Sequence, residues 1–213
     1  MAQLVLPLAT RPALRREDFI VAAGNREAVA FLDAWPDWPS PIAALYGPPG
    51  SGKSHLAAIW AERANARLVD AGNLDDGALL QDGAVAVEDI GDGARDPLLF
   101  SLMESGRPLL LTGRNPPAEW TATIPDLVSR YRALLSFALW APDDDLLAAL
   151  ARKLFADRQL QVPDAAIAQM INSLERSPAA IRDFVARADE IALSRKRPVS
   201  VALIRELVNE APP

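Results

Sequence analysis

Residues Gly47-Pro48-Pro49-Gly50-Ser51-Gly52-Lys53-Ser54 satisfy the spacing G-x-x-x-x-G-K-[ST], a loop chemistry for binding phosphate. The glycines let the backbone curl so that its N–H groups face phosphate oxygens at a helix N-terminus. Lys53 supplies a point charge to the terminal phosphates, and Ser54 offers a hydroxyl to Mg2+. Farther on, the apolar run Ala84–Val87 ends in Glu88 and Asp89, an arrangement that holds Mg2+ through one acid and polarises water with the next. Here the metal-side acid is Glu88, where aspartate is usual, and the water-side acid is Asp89, one methylene shorter than glutamate. Each swap moves oxygens by about 1 Å or more, a misplacement that costs roughly 10²-fold where hydrolysis depends on it. The pair therefore predicts weak intrinsic hydrolysis. His55 follows the loop on the first helical turn; no neighbour forms a dyad with it, so core packing stands beside a nucleotide-side role.

These groups need elements to hold them. Ile42–Tyr46, Arg67–Val69, Ala84–Val87, Leu109–Thr112 and Leu135–Trp140 read as strands, several of them nearly unbroken in apolar character, and helix-like stretches separate them. That alternation predicts a parallel sheet covered on both faces. After Asp143 apolar residues recur only at helical spacing: Leu146, Leu147, Leu150 and Leu154; then Ile167, Met170, Ile171 and Leu174; then Ile181, Phe184, Val185 and Ala188; then Val201, Ile204 and Leu207. Pro163 at a first-turn position, Ser177 before Pro178, and Ser200 mark helix starts. Arg187 is placed to pair with Asp183 one turn earlier. The expected organisation is an N-terminal peptide (1–10), an α/β domain (11–141) and a small all-α lid (142–213).

Composition narrows the chemistry. The 213 residues are 50% hydrophobic, enough for one large domain or two small ones with real cores. With 22 basic against 28 acidic residues the formal charge is −6, which repels phosphate backbones and disfavours a stand-alone duplex DNA binder. The absence of cysteine removes disulfides, thiolate metal sites and cysteine nucleophiles, and a single histidine removes multi-histidine metal centres. No apolar stretch is long enough to span a membrane, and the N-terminus lacks a basic region before its apolar residues, so a cytoplasmic protein is expected.

In order and spacing, the phosphate loop, the Val85–Asp89 strand end, the run Leu109–Pro117, Asp126–Arg130 and Ala180–Arg182 resemble the AAA+ family, and within it the DnaA branch. The resemblance covers essentially the whole chain and implies the fold class: a P-loop NTPase parallel-sheet domain followed by a small helical lid, binding ADP or ATP with Mg2+. It implies that Asp18–Asn25 lies against adenine, where Ile20 and Val21 give an apolar slot; Asn25 can also cap the helix Arg26–Ala34. It implies Ser54 and Glu88 as Mg2+ ligands, Thr112, Arg114 or Asn115 as the sensor of the terminal phosphate, and Arg182 as the lid arginine. Aspartate is usual in the family where Arg114 stands. Arg130 matches the arginine finger that reaches a neighbouring subunit's nucleotide, a contribution of roughly 10³–10⁵ in rate; Arg132 lies two residues on.

Gln3, Leu4, Leu6, Pro7 and Leu8 resemble the sliding-clamp-binding peptide of the Hda family, the DnaA-related inactivators of DnaA. The leucines can insert into an apolar pocket, glutamine offers amide donors and a carbonyl, and Pro7 lowers the ordering cost. The same residues, alternating, could instead form an arm packed on their own domain. The implied partners are the clamp (DNA polymerase III beta subunit) and DnaA, with DNA reached only through the clamp, no membrane, and self-association open. A self-contained ATPase and a helicase-loader-like protein are the alternatives.

Overall fold

The computed structural model describes residues 16–209 apart from 81, 92–94 and 196. In chain order the elements are α1 (Arg26–Asp33), β1 (Ile42–Tyr46), α2 (Lys53–Ala64), β2 (Arg67–Asp70), α3 (Gly77–Leu80), β3 (Val85–Ile90), α4 (Asp96–Glu104), β4 (Leu109–Gly113), α5 (Pro125–Arg132), β5 (Leu135–Ala138), α6 (Asp144–Asp157), α7 (Asp164–Ser173), α8 (Pro178–Arg195) and α9 (Val201–Asn209). The five strands form one parallel sheet in the order β2-β3-β4-β1-β5. Thus β4 is inserted between the strand that leads into the phosphate loop and the strand that ends in the acids.

Period-2 alternation sorts the sheet's side chains between two cores. Ala44, Val85, Val87, Leu109 and Leu111 point to the face covered by α3, α4 and α5, where Leu99, Leu102, Leu127 and Tyr131 are buried. Ala43, Leu45, Ala86 and Leu110 point to the other face, against Val29 and Leu32 of α1 and Leu56 and Trp60 of α2. All five residues of β4 are buried, as a run of three leucines at the centre of a two-sided sheet requires. The helical C-terminal region builds its own core, with Leu147 and Phe155 of α6, Met170 of α7, Phe184 of α8, and Leu203, Ile204 and Leu207 of α9 all buried in it. Ser177 and Ser200 act as starts, their hydroxyls accepting from the N–H groups of Ala180 (3.1 Å) and Leu203 (3.3 Å). Among the described residues no helix is long and apolar enough to cross a membrane.

Several local expectations are corrected. β3 continues past Val87 to Ile90, because a register shift lets two residues, Glu88 and Asp89, face one on β4, with Asp89 at φ +58°. β5 ends at Ala138: the Trp140 N–H turns to the Gly24 carbonyl, 3.1 Å away. Pro163 stands just outside α7 rather than in its first turn. Asn25 does not cap α1 through its side chain; its Oδ1 accepts from the Ala22 N–H (2.9 Å) and its Nδ2 donates to the Ile20 carbonyl (3.0 Å). Arg187 donates to the Leu207 carbonyl and lies over the Phe184 ring instead of pairing with Asp183.

One buried acid links α4 to the turn before α5. Asp96, 1% exposed on the first turn of α4, accepts from both the backbone N–H and the hydroxyl (2.7 Å) of Thr123, in the turn that leads into α5. Asp96→Ala leaves two donors without an acceptor, a loss of about 1–3 kcal/mol. Thermal unfolding should record a midpoint several degrees lower; an unchanged midpoint would show that Thr123 finds another partner.

Candidate nucleotide site

The chain leaves β1 through Gly47, whose N–H donates to the Gly113 carbonyl of β4 at 3.2 Å. Gly47 has φ +151°, and a Cβ there would lie 2.0 Å from the Leu139 carbonyl oxygen, so only glycine fits. Gly50 (φ +76°) and Gly52 (φ +99°) complete the curl. Gly52 stands at the start of α2, and no side chain caps that helix, which leaves its first-turn N–H groups for an anion. Lys53 Nζ donates to the carbonyls of Gly47 (2.7 Å) and Pro48 (2.9 Å), folding the ammonium back along the loop. Burial pulls Lys53 below the ordinary lysine range; Asp89 and Glu88 oppose this, and Arg114 adds to it.

A cleft of about 240 Å³ opens between this loop and the helical C-terminal region. Gly50, Ser51, Gly52, Lys53, Ser54 and His55 form one wall; Pro142, Leu146, Leu150, Pro178 and Arg182 form the other. Asp18, Phe19, Ile20 and Asn25 close it along the edge. Burial lowers the Arg182 guanidinium's proton affinity, with Asp18 and Asp183 restoring part of it. Lys153 of α6 donates to Asp18 at 2.7 Å, tying the edge segment to the helical region.

The expected residues divide. Ile20 lines the cleft and packs on the helical core, whereas Val21 is 44% exposed and outside the lining. Gly47, Pro48 and Pro49 shape the loop without lining the cleft. His55 is buried, edge-on to Phe19 with centroids 5.1 Å apart, and it also reaches the cleft wall. Phe19 does not stand out in the sequence, yet it covers Gly52, where a Cβ would meet its ring at 3.0 Å. Its signal is modest: one aromatic in an otherwise aliphatic segment. Gln3, Leu4, Leu6, Pro7 and Leu8 lie outside the described residues.

At the sheet's carboxyl edge, Glu88 is half-buried and its Oε1 is buried without a hydrogen-bond partner among the described residues. Asp89 donates its N–H to Thr112 Oγ1 (3.1 Å), and its carboxylate lies 4.0 Å from Arg114 Nε. Asp89, Arg114 and Asn115 border a neighbouring cavity of about 340 Å³. The orphaned carboxylate oxygen of Glu88 suits a hard cation by its chemistry, and because among the described residues no three acidic or histidine side chains converge, such an ion would take most of its ligands from phosphate and water. Arg130 sits apart from the cleft, at the end of α5, donating to Glu104 (2.7 Å) with its guanidinium 4.9 Å from the Phe100 ring. Arg132 is exposed on the same turn.

The fold so built is that of AAA+ ATPases, with a helical C-terminal region following the parallel sheet. In particular it is similar to domain III of the replication initiation protein DnaA from Thermotoga maritima, at TM-score 0.75 and 15% identity over 94% of this chain and 97% of that one. A replication initiator DnaA bound to AMPPCP and single-stranded DNA gives 0.70 and 14% over 87% and 68%. A single-residue variant of Thermotoga maritima RuvB gives 0.68 and 19% over 87% and 67%. No family model and no curated protein sequence matches the chain.

Gly47→Ala forces a backbone clash that no rotamer relieves, whereas Gly106→Ala, at φ +70° with nothing within 4 Å, adds only strain of about 1–2 kcal/mol. In denaturant titration the Gly47 variant should lose clearly more stability than the Gly106 variant; equal losses would mean that the Leu139 contact yields easily.

Proposed function

We propose that this chain is an AAA+ nucleotide-binding adaptor that docks on the DNA polymerase sliding clamp through Gln3, Leu4, Leu6, Pro7 and Leu8 and stimulates ATP hydrolysis by DnaA, so limiting the initiation of replication. The observation that carries the reading is the cleft in which the phosphate loop and uncapped α2 face Arg182 of α8. ADP or ATP held there joins residues 11–141 to residues 142–213 and sets the surface that a partner meets. Lys53 and the first-turn N–H groups take the phosphates, Ile20, Phe19 and His55 border the base end, and Ser54 and Glu88 hold Mg2+, which neutralises phosphate charge when bound.

Intrinsic hydrolysis is weak in this reading. Asp89 is the water-side acid, but it is short, set at the bulge and faced by a guanidinium. The chain's contribution to catalysis is Arg130, offered to ATP held by DnaA. Arg130 suits that role because its hold on Glu104 is an exposed ion pair, worth about 0–1 kcal/mol, and is released cheaply. The acidic balance agrees with reaching DNA through the clamp in the cytoplasm, and the same finger geometry allows homo-oligomers.

The test is hydrolysis of DnaA-bound ATP in the presence of clamp loaded on DNA. The unaltered protein should accelerate it, while Arg130→Ala and a Gln3/Leu6/Leu8 triple alanine variant should each lose most of the effect. Equal acceleration by all three would overturn the mechanism, and brisk hydrolysis by this protein alone would overturn the adaptor reading in favour of a self-contained ATPase.

A further inference from the structure

The cleft contains one acid that works against an anionic ligand. Among the described residues that line it, Asp18 is the only carboxylate, and Lys53 and Arg182 are the permanent cations. Asp18 is fixed from the sheet side. It ends the short 3-10 turn Arg16–Asp18, closed by the Phe19 N–H on the Arg16 carbonyl (3.2 Å), and Arg16 holds both carboxylate oxygens of Asp33 at the end of α1, at 3.1 and 2.8 Å. Arg182 is fixed from the other side, on the second turn of α8, and among the described residues its guanidinium forms no ion pair. Burial works against its charge, and of the two acids that oppose this Asp18 acts more strongly than Asp183.

Lys153 intervenes between them. Leu146 and Leu150 of α6 line the cleft, and the next position on that helical stripe is Lys153. Its Nζ donates to Asp18 at 2.7 Å and to Asp157, one turn farther along α6, at 3.0 Å. The bonds to these two carboxylates hold the ammonium above the ordinary lysine range. Asp18 therefore rests on a cation that does not line the cleft, while a cation that does line it keeps its donors for a ligand. Take the ammonium away, and the guanidinium of Arg182 becomes the stronger attraction for the carboxylate, in direct competition with phosphate.

We propose that Lys153 is a positioning residue for the nucleotide site: by holding Asp18 it keeps that carboxylate off Arg182, so that the guanidinium stays available to the phosphates of a nucleotide. This rests on the nucleotide site argued above. The helical region thus contributes two cations with separate tasks, Arg182 toward the ligand and Lys153 toward the acid at the rim.

The experiment measures the dissociation constant of a non-hydrolysable ATP analogue with Mg2+ by calorimetric titration of the full chain. Lys153→Met should weaken binding by roughly 3- to 10-fold, and Lys153→Arg should keep most of the affinity. Asp18→Asn should bind at least as tightly as the unaltered protein, and adding it to Lys153→Met should restore what the single change removes. In an Arg182→Ala background Lys153→Met should have no further effect. A contact that merely straps the edge segment to α6 gives a different pattern, with Asp18→Asn as damaging as Lys153→Met and no rescue in the pair. That pattern, an unchanged affinity in Lys153→Met, or a full further loss in the Arg182→Ala background overturns the proposal while leaving the nucleotide site in place. Failure of the unaltered protein to bind the analogue overturns the site itself and the role of Lys153 with it.

Discussion

Gly47 occupies the junction of three strands. Its N–H is taken by β4, its Cα approaches the end of β5 too closely for any side chain, and its positive φ starts the loop that delivers Lys53 to the mouth of α2. The groups proposed to meet phosphate are placed from that point: the loop follows it, the acids of β3 and the arginine after β4 flank it, and the chain beyond Leu139 departs from it toward the helical region. The insertion of β4 between β1 and β3 is what brings a residue distant in sequence to the same edge. Parallel strands require long crossovers, and these crossovers, α2 to α5, supply the two apolar faces that bury the sheet.

The helical region meets the loop through a narrow set of contacts. Successive residues of the edge segment divide their loyalty: Phe19 packs with the α1–α2 side of the sheet and with His55, Ile20 packs with the helical core, and Asp18 holds Lys153. A ligand in the cleft would touch all three and Arg182 as well, so binding energy there is also energy of alignment between the sheet and the helices. The acids and cations around Lys53 are set close enough that none can be understood alone: Lys53 is pulled down by burial and lifted by Asp89 and Glu88, while Arg114 acts against it.

Much of this is legible in the sequence where local pattern is decisive. β1 spans the residues its apolar run predicts, the leucines of β4 read as a buried strand, and the serine starts of α8 and α9 bond as serine caps do. The misreadings share a cause: each depends on a partner far away in the chain or on a competing local turn. The bulge at Glu88–Asp89 is imposed by pairing with β4, and Arg187 prefers a carbonyl of α9 to the acid one turn away. Asn25 carries a residue type suited to capping, but the turn of 20–25 competes for its amide and wins. Phe19 escapes notice because an aromatic beside a buried histidine becomes visible only once α2 and the edge segment are brought together.

We propose that phosphate is bound by Lys53 and the loop it belongs to. Equilibrium titration of a fluorescent ADP derivative with Mg2+, against the unaltered protein and Lys53→Ala, tests it most directly. Saturable binding by the unaltered protein is expected, with a loss of at least about 10-fold in the variant, the size of one charge-assisted contact to phosphate. Equal affinities in the two proteins, or no binding by either, would contradict it.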